Sequence, residues 1–250
     1  MCLLLLAIDS VPDRPWLLLG NRDEFHARPT APAQAWEDAP AIVGGRDLRA
    51  GGSWLAIERS GRYAAVTNVR GGSPVSAARS RGELVGDFVA SRTSPADYIA
   101  AVAQRRGEYG PFNLIVGNAT AAWFVSSIDG AARHLAGGIH AFSNGSLDDE
   151  WPKMRRLRMR FATMLQSGEM DNAAWLALLA DTEQPQDGEL PDTGVGLELE
   201  RRLAPIFIRG EIYGTRASTL AYARADGSMV LFERRFGPNS AGLGESTIEL

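Results

Sequence analysis

The segment Cys2-Leu3-Leu4-Leu5-Leu6-Ala7-Ile8, the turn-rich stretch Asp9-Ser10-Val11-Pro12-Asp13-Arg14-Pro15, and the run Trp16-Leu17-Leu18-Leu19-Gly20-Asn21-Arg22-Asp23-Glu24 decide the fold. The two apolar runs have strand length, and the residues between them predict a β-hairpin with a loop longer than two residues. Leu4 and Leu6 fall on one face of the first strand, Leu3 and Leu5 on the other. A strand apolar on both faces is covered from both sides, as in the middle of a layered sandwich. Folding about Pro12 pairs residues whose numbers sum to about 24, so Leu6 faces Leu18 and Cys2 faces Arg22. The polar tetrad Asn21-Arg22-Asp23-Glu24 is thereby carried to the start of the chain.

That placement gives Cys2 its interest. Methionine is commonly removed before small residues, and loss of Met1 leaves a thiol and a free α-amine on one residue. An α-amine has a pKa of roughly 7.7–8.0, so near neutral pH it can take the thiol proton. Nucleophile and base then come from the same residue, as with N-terminal threonine. A carboxylate from the tetrad can orient the ammonium, and a cation can lower the thiol pKa. The plain alternative is a small apolar residue beginning a buried strand.

The rest of the chain is compatible with a packed enzyme-like domain spanning 1–250. Its 250 residues are 45% hydrophobic and 22% charged, enough apolar matter to offset chain entropy. A net charge of −4 argues against a dedicated nucleic-acid binder. A single cysteine excludes an internal disulfide framework, and His26, His134 and His140 share no metal-ligand spacing. No basic n-region precedes the apolar start, and no stretch approaches the roughly 20 apolar residues of a membrane span, so a cytoplasmic protein is expected.

Further strands are predicted at 54–58, 63–69, 113–116, 122–125, 139–143, 218–223 and 229–234. Helices are expected from the capping box Ser80-Arg81-Gly82-Glu83 through about Ala90, from the Ser94-Pro95 cap, over Pro152 to Leu165, and from Asp171 through Ala180. Arg155, Arg156, Arg158 and Arg160 form a face of the third helix read as solvated, with attraction of an acidic ligand as the other reading. Residues 184–194 read as a loop. The pairs Gly44-Gly45 and Gly51-Gly52 read as tight turns bringing backbone close to a ligand or another strand.

Three more residues qualify as site candidates. Asn68 and Asn144 each end an apolar run, where an amide donor can face a developing oxyanion or simply close a strand. Arg216 begins a strand after Gly214-Thr215 and needs a partner: a substrate carboxylate, Asp23, or a surface acid.

Taken in order, these pieces resemble the NRDE family, also called the transport and Golgi organisation protein 2 family. The motifs are Asn21-Arg22-Asp23-Glu24-Phe25, Arg28-Pro29-Thr30, Trp36, Gly44-Gly45-Arg46-Asp47, Gly51-Gly52-Ser53-Trp54 and Thr67-Asn68. They continue with Phe112-Asn113-Leu114, Ser143-Asn144, Trp151-Pro152-Lys153 and Tyr213-Gly214-Thr215-Arg216. Ser53 stands where a threonine is expected. The resemblance implies an α+β fold, a four-layer αββα sandwich of two antiparallel sheets like that of the N-terminal-nucleophile hydrolases.

By comparison with choloylglycine and penicillin V acylases, it implies Cys2 as nucleophile and Asp23 as amine-orienting carboxylate. Asn68 and Asn144 would serve as oxyanion and positioning groups, and Arg216 as a late arginine. Asn21, Arg22, Arg46 and Trp54 would touch substrate. Gly20 occupies the place of those acylases' first arginine, with Arg22 as its neighbouring replacement. The expectation is a hydrolase of a linear amide that takes a small-molecule substrate and needs no metal or organic cofactor. The alternative is a haem or acyl-lipid carrier on the same scaffold, with Cys2 or a histidine as axial ligand.

Overall fold

The structure, a computed structural model, describes residues 2–71, 77–168 and 171–250. Strand β1 (Cys2–Val11) and strand β2 (Arg14–Phe25) form the expected hairpin. The register is the one the apolar pattern requires, with Leu6 opposite Leu18, Leu4 opposite Gly20 and Cys2 opposite Arg22. The connection is tighter than expected. Both strands run on until only Pro12 and Asp13 separate them. An irregularity between Ile8 and Val11 absorbs the extra turn residues, with Asp9 and Asp13 both at positive φ, 49° and 59°. Aspartate tolerates that region because its short side chain bonds locally.

Two antiparallel sheets follow from this start. After β3 (Thr30–Trp36), β4 (Ala39–Asp47), β5 (Leu55–Glu58) and β6 (Arg62–Asn68), the chain makes helices α1 (Arg81–Ala90) and α2 (Pro95–Gln104). It then returns through β7 (Phe112–Gly117), β8 (Ala122–Ser126) and β9 (Arg133–Leu135), completing a seven-stranded sheet in sequence order. Strand β10 (Gly138–Phe142) precedes α3 (Pro152–Ser167), α4 (Asn172–Leu178) and α5 (Leu197–Leu203). Strands β11 (Tyr213–Ala223), β12 (Met229–Phe236) and β13 (Gly242–Glu249) close the chain. The second sheet has the order β10-β1-β2-β11-β12-β13.

The sheets face one another across a core that includes Leu5, Trp16, Leu18, Val43, Ile57 and Tyr63. Helices α1 and α2 cover the outer face of the seven-stranded sheet with Leu84, Phe88, Ile99 and Val102. Helices α3 and α4 cover the other sheet with Met154, Leu157, Phe161 and Trp175. The order is α-β-β-α, which explains why Leu3 to Leu6 are all buried: each face of β1 meets a different layer. At about 25 cal/mol per Å² of apolar surface removed from water, that double burial makes β1 a principal stabilising element.

Helix α1 begins as the sequence predicts: Ser80 N donates to Glu83 Oε1 at 2.8 Å and Gly82 N donates to Ser80 Oγ at 3.3 Å. Asp171 stands at the start of α4 but caps it through its backbone carbonyl only. Gly44 and Gly45 are not in a turn; they lie within β4. A Cβ on Gly44 would come 2.6 Å from the Leu55 carbonyl oxygen, and one on Gly45 would enter the Trp54 ring at 2.1 Å. The arginine face of α3 is paired with acids of the following segments, Arg155 with Glu189, Arg156 with Asp181 and Glu183, and Arg160 with Asp181. No helix among the described residues is long and apolar enough to cross a membrane.

Candidate active site

The ends of β1, β2 and β6 open on one cleft of about 950 Å³, lined among others by Cys2, Arg22, Asp23, Trp54, Asn68 and Arg70. Cys2 starts the first strand of the inner layer and is 9% exposed. Its own carbonyl accepts from Ser143 Oγ at 2.8 Å, which ties the beginning of β1 to the end of β10. Burial pushes the Cys2 thiol pKa up, while the positive amino terminus of the chain and Arg22 pull it down. The thiol therefore needs a base to ionise it at neutral pH. Met1, whose removal would free that base on Cys2, lies outside the described residues.

Arg22 and Asp23 come from adjacent positions of β2, and both reach the cleft. The Arg22 guanidinium lies 4.2 Å from the Trp54 ring centroid, donates to Thr30 Oγ1 at 3.2 Å and stands 3.9 Å from Asp47. Its pKa is lowered by burial, with the Cys2 thiolate, once formed, the largest opposing influence. Asp23 is 2% exposed and accepts from Thr215 Oγ1 at 2.7 Å. Burial raises its pKa against the pull of the amino terminus and of Lys153. Lys153 is itself buried at the first turn of α3, donates to Leu203 O at 3.2 Å, and is pushed by burial down to about 8.

The two asparagines meet, in different roles. Asn68 lines the cleft, whereas Asn144 sits behind it and donates from Nδ2 to the Asn68 carbonyl at 2.8 Å. The neighbouring residues reinforce the junction. Thr67 Oγ1 donates to Ser143 O at 2.5 Å, and Asn113 Nδ2 to Gly145 O at 2.7 Å. The motifs Thr67-Asn68, Phe112-Asn113 and Ser143-Asn144 thus form one buried joint between the sheets.

Like Asn144, three further expected site residues do not line the cleft. Asn21 faces the helical layer, one position out of phase with Arg22. Its Nδ2 donates to Leu179 O and Ile206 O, both at 2.8 Å, and its Oδ1 accepts from Ser218 at 2.6 Å. All of its principal bonding capacity is structural. Arg46 pairs with Asp38 at 2.7 Å and stacks 4.2 Å from Trp36. Arg216 neither lines the cleft nor reaches Asp23. A β-bulge between Thr215 and Ala217 gives the Asp23 contact to Thr215 and sends Arg216 to the carbonyls of Phe25 and Arg28 and to Thr30 Oγ1. None of the histidines lines the cleft: His26 bonds Gly210 O, His140 bonds Asp148, and His134 packs on Trp123.

Thr215, Lys153, Arg70, Glu200 and Arg81 also lie at or beside the cleft, and no spacing in the sequence marks them as site residues. Arg70 forms a buried ion pair with Glu200 on α5 beside the cleft. Lys153, Thr215 and Arg81 lie within the Trp151-Pro152-Lys153, Tyr213-Gly214-Thr215-Arg216 and Ser80-Arg81-Gly82-Glu83 motifs, where nothing local shows that their side chains meet the cleft or Asp23. Arg70 and Glu200 are 130 positions apart, and nothing local joins them. A second chamber of about 710 Å³ adjoins the cleft, sharing Phe25, Asn68, Leu199 and Leu203 with it and walled further by Phe207, Ile208 and Tyr213.

Comparison with known proteins agrees with this architecture. The sequence profile described as Transport and Golgi organisation 2 matches residues 1–238. The Bos taurus Transport and Golgi organization protein 2 homolog is 30% identical over 255 residues, covering 94% of this chain and 92% of that protein. The Homo sapiens homolog is 28% identical over the same length, with the same coverage. Among solved structures, the C2A mutant of the conjugated bile acid hydrolase from Clostridium perfringens superposes with a TM-score of 0.55 at 8% identity. That match covers 100% of this chain and 92% of the other. The two chains share the αββα sandwich, and at that identity the likeness speaks to fold alone.

Proposed function

The chain belongs to the Transport and Golgi organisation 2 family, and from its cleft we propose that it is an N-terminal-cysteine hydrolase of a linear amide, a non-peptide carbon–nitrogen bond. The observation that carries this reading is that Cys2 and the buried carboxylate of Asp23 line one cleft.

With Met1 removed, the Cys2 α-amine takes the Sγ proton and the thiolate adds to the substrate carbonyl carbon. Asp23, fixed by Thr215, orients the resulting ammonium. The side chain of Asn68 faces the developing oxyanion, and Asn144 holds Asn68 in place through its carbonyl. Collapse breaks the carbon–nitrogen bond, and the ammonium proton passes to the departing amine. Water, deprotonated by the same amine, then cleaves the thioester, releasing the acid and regenerating the thiol. Arg22 stabilises the thiolate, and its cation–π contact with the Trp54 ring keeps the guanidinium aimed. The adjoining apolar chamber suits the acyl portion of such a substrate.

The test is amine release from a panel of N-acyl amides by protein verified to begin at Cys2. Turnover is expected with at least one acyl chain, abolished in Cys2→Ala and strongly reduced in Cys2→Ser. Release that is equal in Cys2→Ala would refute the assignment. The apolar chamber also favours a second reading, an acyl-lipid carrier on the hydrolase scaffold. It predicts stoichiometric retention of a fatty-acyl ligand that is indifferent to Cys2→Ala.

A further inference from the structure

Among the described residues, the cleft around Cys2 is lined by five arginines, Arg22, Arg28, Arg70, Arg79 and Arg81, against three carboxylates, Asp23, Glu24 and Asp47. Four of the five have acidic company. Arg79 is bound to Glu83, Asp87 and Glu108; Arg28 lies between Asp47 and Glu24; Arg70 is sealed against Glu200. Arg22 is stacked on Trp54 and stands 3.9 Å from Asp47.

Arg81 differs. Among the described residues it has no carboxylate within ion-pair distance, and its hydrogen bond runs from Nη1 to the neutral carbonyl of Pro111 at 3.1 Å. We propose that Arg81 is a specificity-determining residue of this cleft, holding a carboxylate or similar oxyanion of the substrate that Cys2 attacks. The proposal rests on the hydrolase reading above and names the substrate class more narrowly: an acyl amide that carries a negative charge.

Three observations support it. The guanidinium is half-buried, and a charge taken partly out of water without a counter-ion is destabilising until a ligand supplies one. Arg81 and Cys2 line the same cleft, and although burial lowers the Arg81 pKa, the Cys2 thiolate, once formed, and then Glu24 oppose the fall. Its anchor is rigid as well. Arg81 is the first residue of α1, and Ser53 N donates to Gly82 O at 3.1 Å. A Cβ on Gly52, whose φ is +68°, would come 2.4 Å from the Gly82 carbonyl carbon. A planar fork held in this way suits a carboxylate better than a mobile lysine would.

The probe is the pair iodoacetate and iodoacetamide, used on the full chain. Both alkylate a thiolate with loss of iodide and form the same bond, so the ratio of their rates reads the pull on a carboxylate alone. Any change in thiol ionisation slows both reagents alike and cancels. Relative to free glutathione, the wild type is expected to favour iodoacetate at low salt and to lose that preference as salt is added. Arg81→Met should lower the ratio roughly fivefold, and Arg81→Lys should keep most of it. An unchanged ratio in Arg81→Met overturns the proposal and leaves the hydrolase reading intact. Should that variant not fold, a wild-type ratio no higher than that of glutathione overturns it equally. Failure of both reagents to modify wild-type Cys2 removes the hydrolase reading itself, and this proposal with it.

Discussion

Asn144 donates from its side-chain amide to the main-chain carbonyl of Asn68 across 2.8 Å, joining the end of the strand before α3 to the end of β6. Asn144 is 1% exposed, and its Oδ1 also accepts from Ser143 and Arg70. The residue facing the cleft is held by one that never touches it. Asn144→Ala should therefore lower kcat roughly tenfold while changing KM little. Asn68→Ala removes the donor itself and should cost roughly 10²–10³-fold. Steady-state kinetics on the best amide of the panel checks both; equal losses would argue that the two asparagines share one direct role.

The Arg70–Glu200 pair predicts a stability effect. Glu200 is 3% exposed and also accepts from Thr193 N at 3.0 Å. Arg70→Met leaves that carboxylate buried without its cation and should destabilise the fold by about 3–5 kcal/mol. The double variant Arg70→Met/Glu200→Gln should recover most of the loss, because the stranded charge is gone. Urea unfolding of the wild type, both single variants and the double variant measures the coupling.

His140 supplies a pH signature. Its Nδ1 lies 3.0 Å from Asp148 Oδ2, and that hydrogen bond raises the imidazole pKa, with burial and Arg158 acting the other way. A histidine whose folded pKa is raised contributes stability that is fully present below its unfolded pKa and is lost as pH rises through the folded value. His140→Gln should thus destabilise the protein more at pH 6 than at pH 8.5. Thermal melts at the two pH values decide it, and an equal loss at both would contradict the account.

The parts of the fold visible in the sequence are those where one residue pattern met one environment. Leu3 to Leu6 announced a strand covered on both faces, and the sum of paired numbers placed Cys2 opposite Arg22. The elements missed have weak patterns for physical reasons. In β13 every residue is at least partly exposed, because it is the edge of its sheet, so no apolar alternation marks it. Strand β3 contains Pro32 and buries only Ala33 and Trp36. Strand β4 carries Gly44-Gly45, which reads as a turn until the Leu55 carbonyl and the Trp54 ring are seen to occupy the space of a side chain.

The candidate site divides in the same way. Cys2, Arg22, Asp23, Trp54 and Asn68 do converge on one cleft. Asn21 shares a strand face with Asp23, but its amide is taken up by Leu179 O, Ile206 O and Ser218, segments far away in sequence, and Arg216 is diverted by a single-residue bulge after Thr215. Neither Arg81 nor the Arg70–Glu200 pair can be derived from spacing, since each gains meaning only when distant segments are packed around the sulfur.

The central claim is that sulfur and α-amine of Cys2 act together. It is tested most directly by intact-mass analysis after exposure to an activated acyl amide, comparing protein that begins at Cys2 with protein that retains Met1. A single acyl adduct on Cys2, formed by the first and not by the second, is the predicted result. Equal acylation of the two, or of neither, would contradict it.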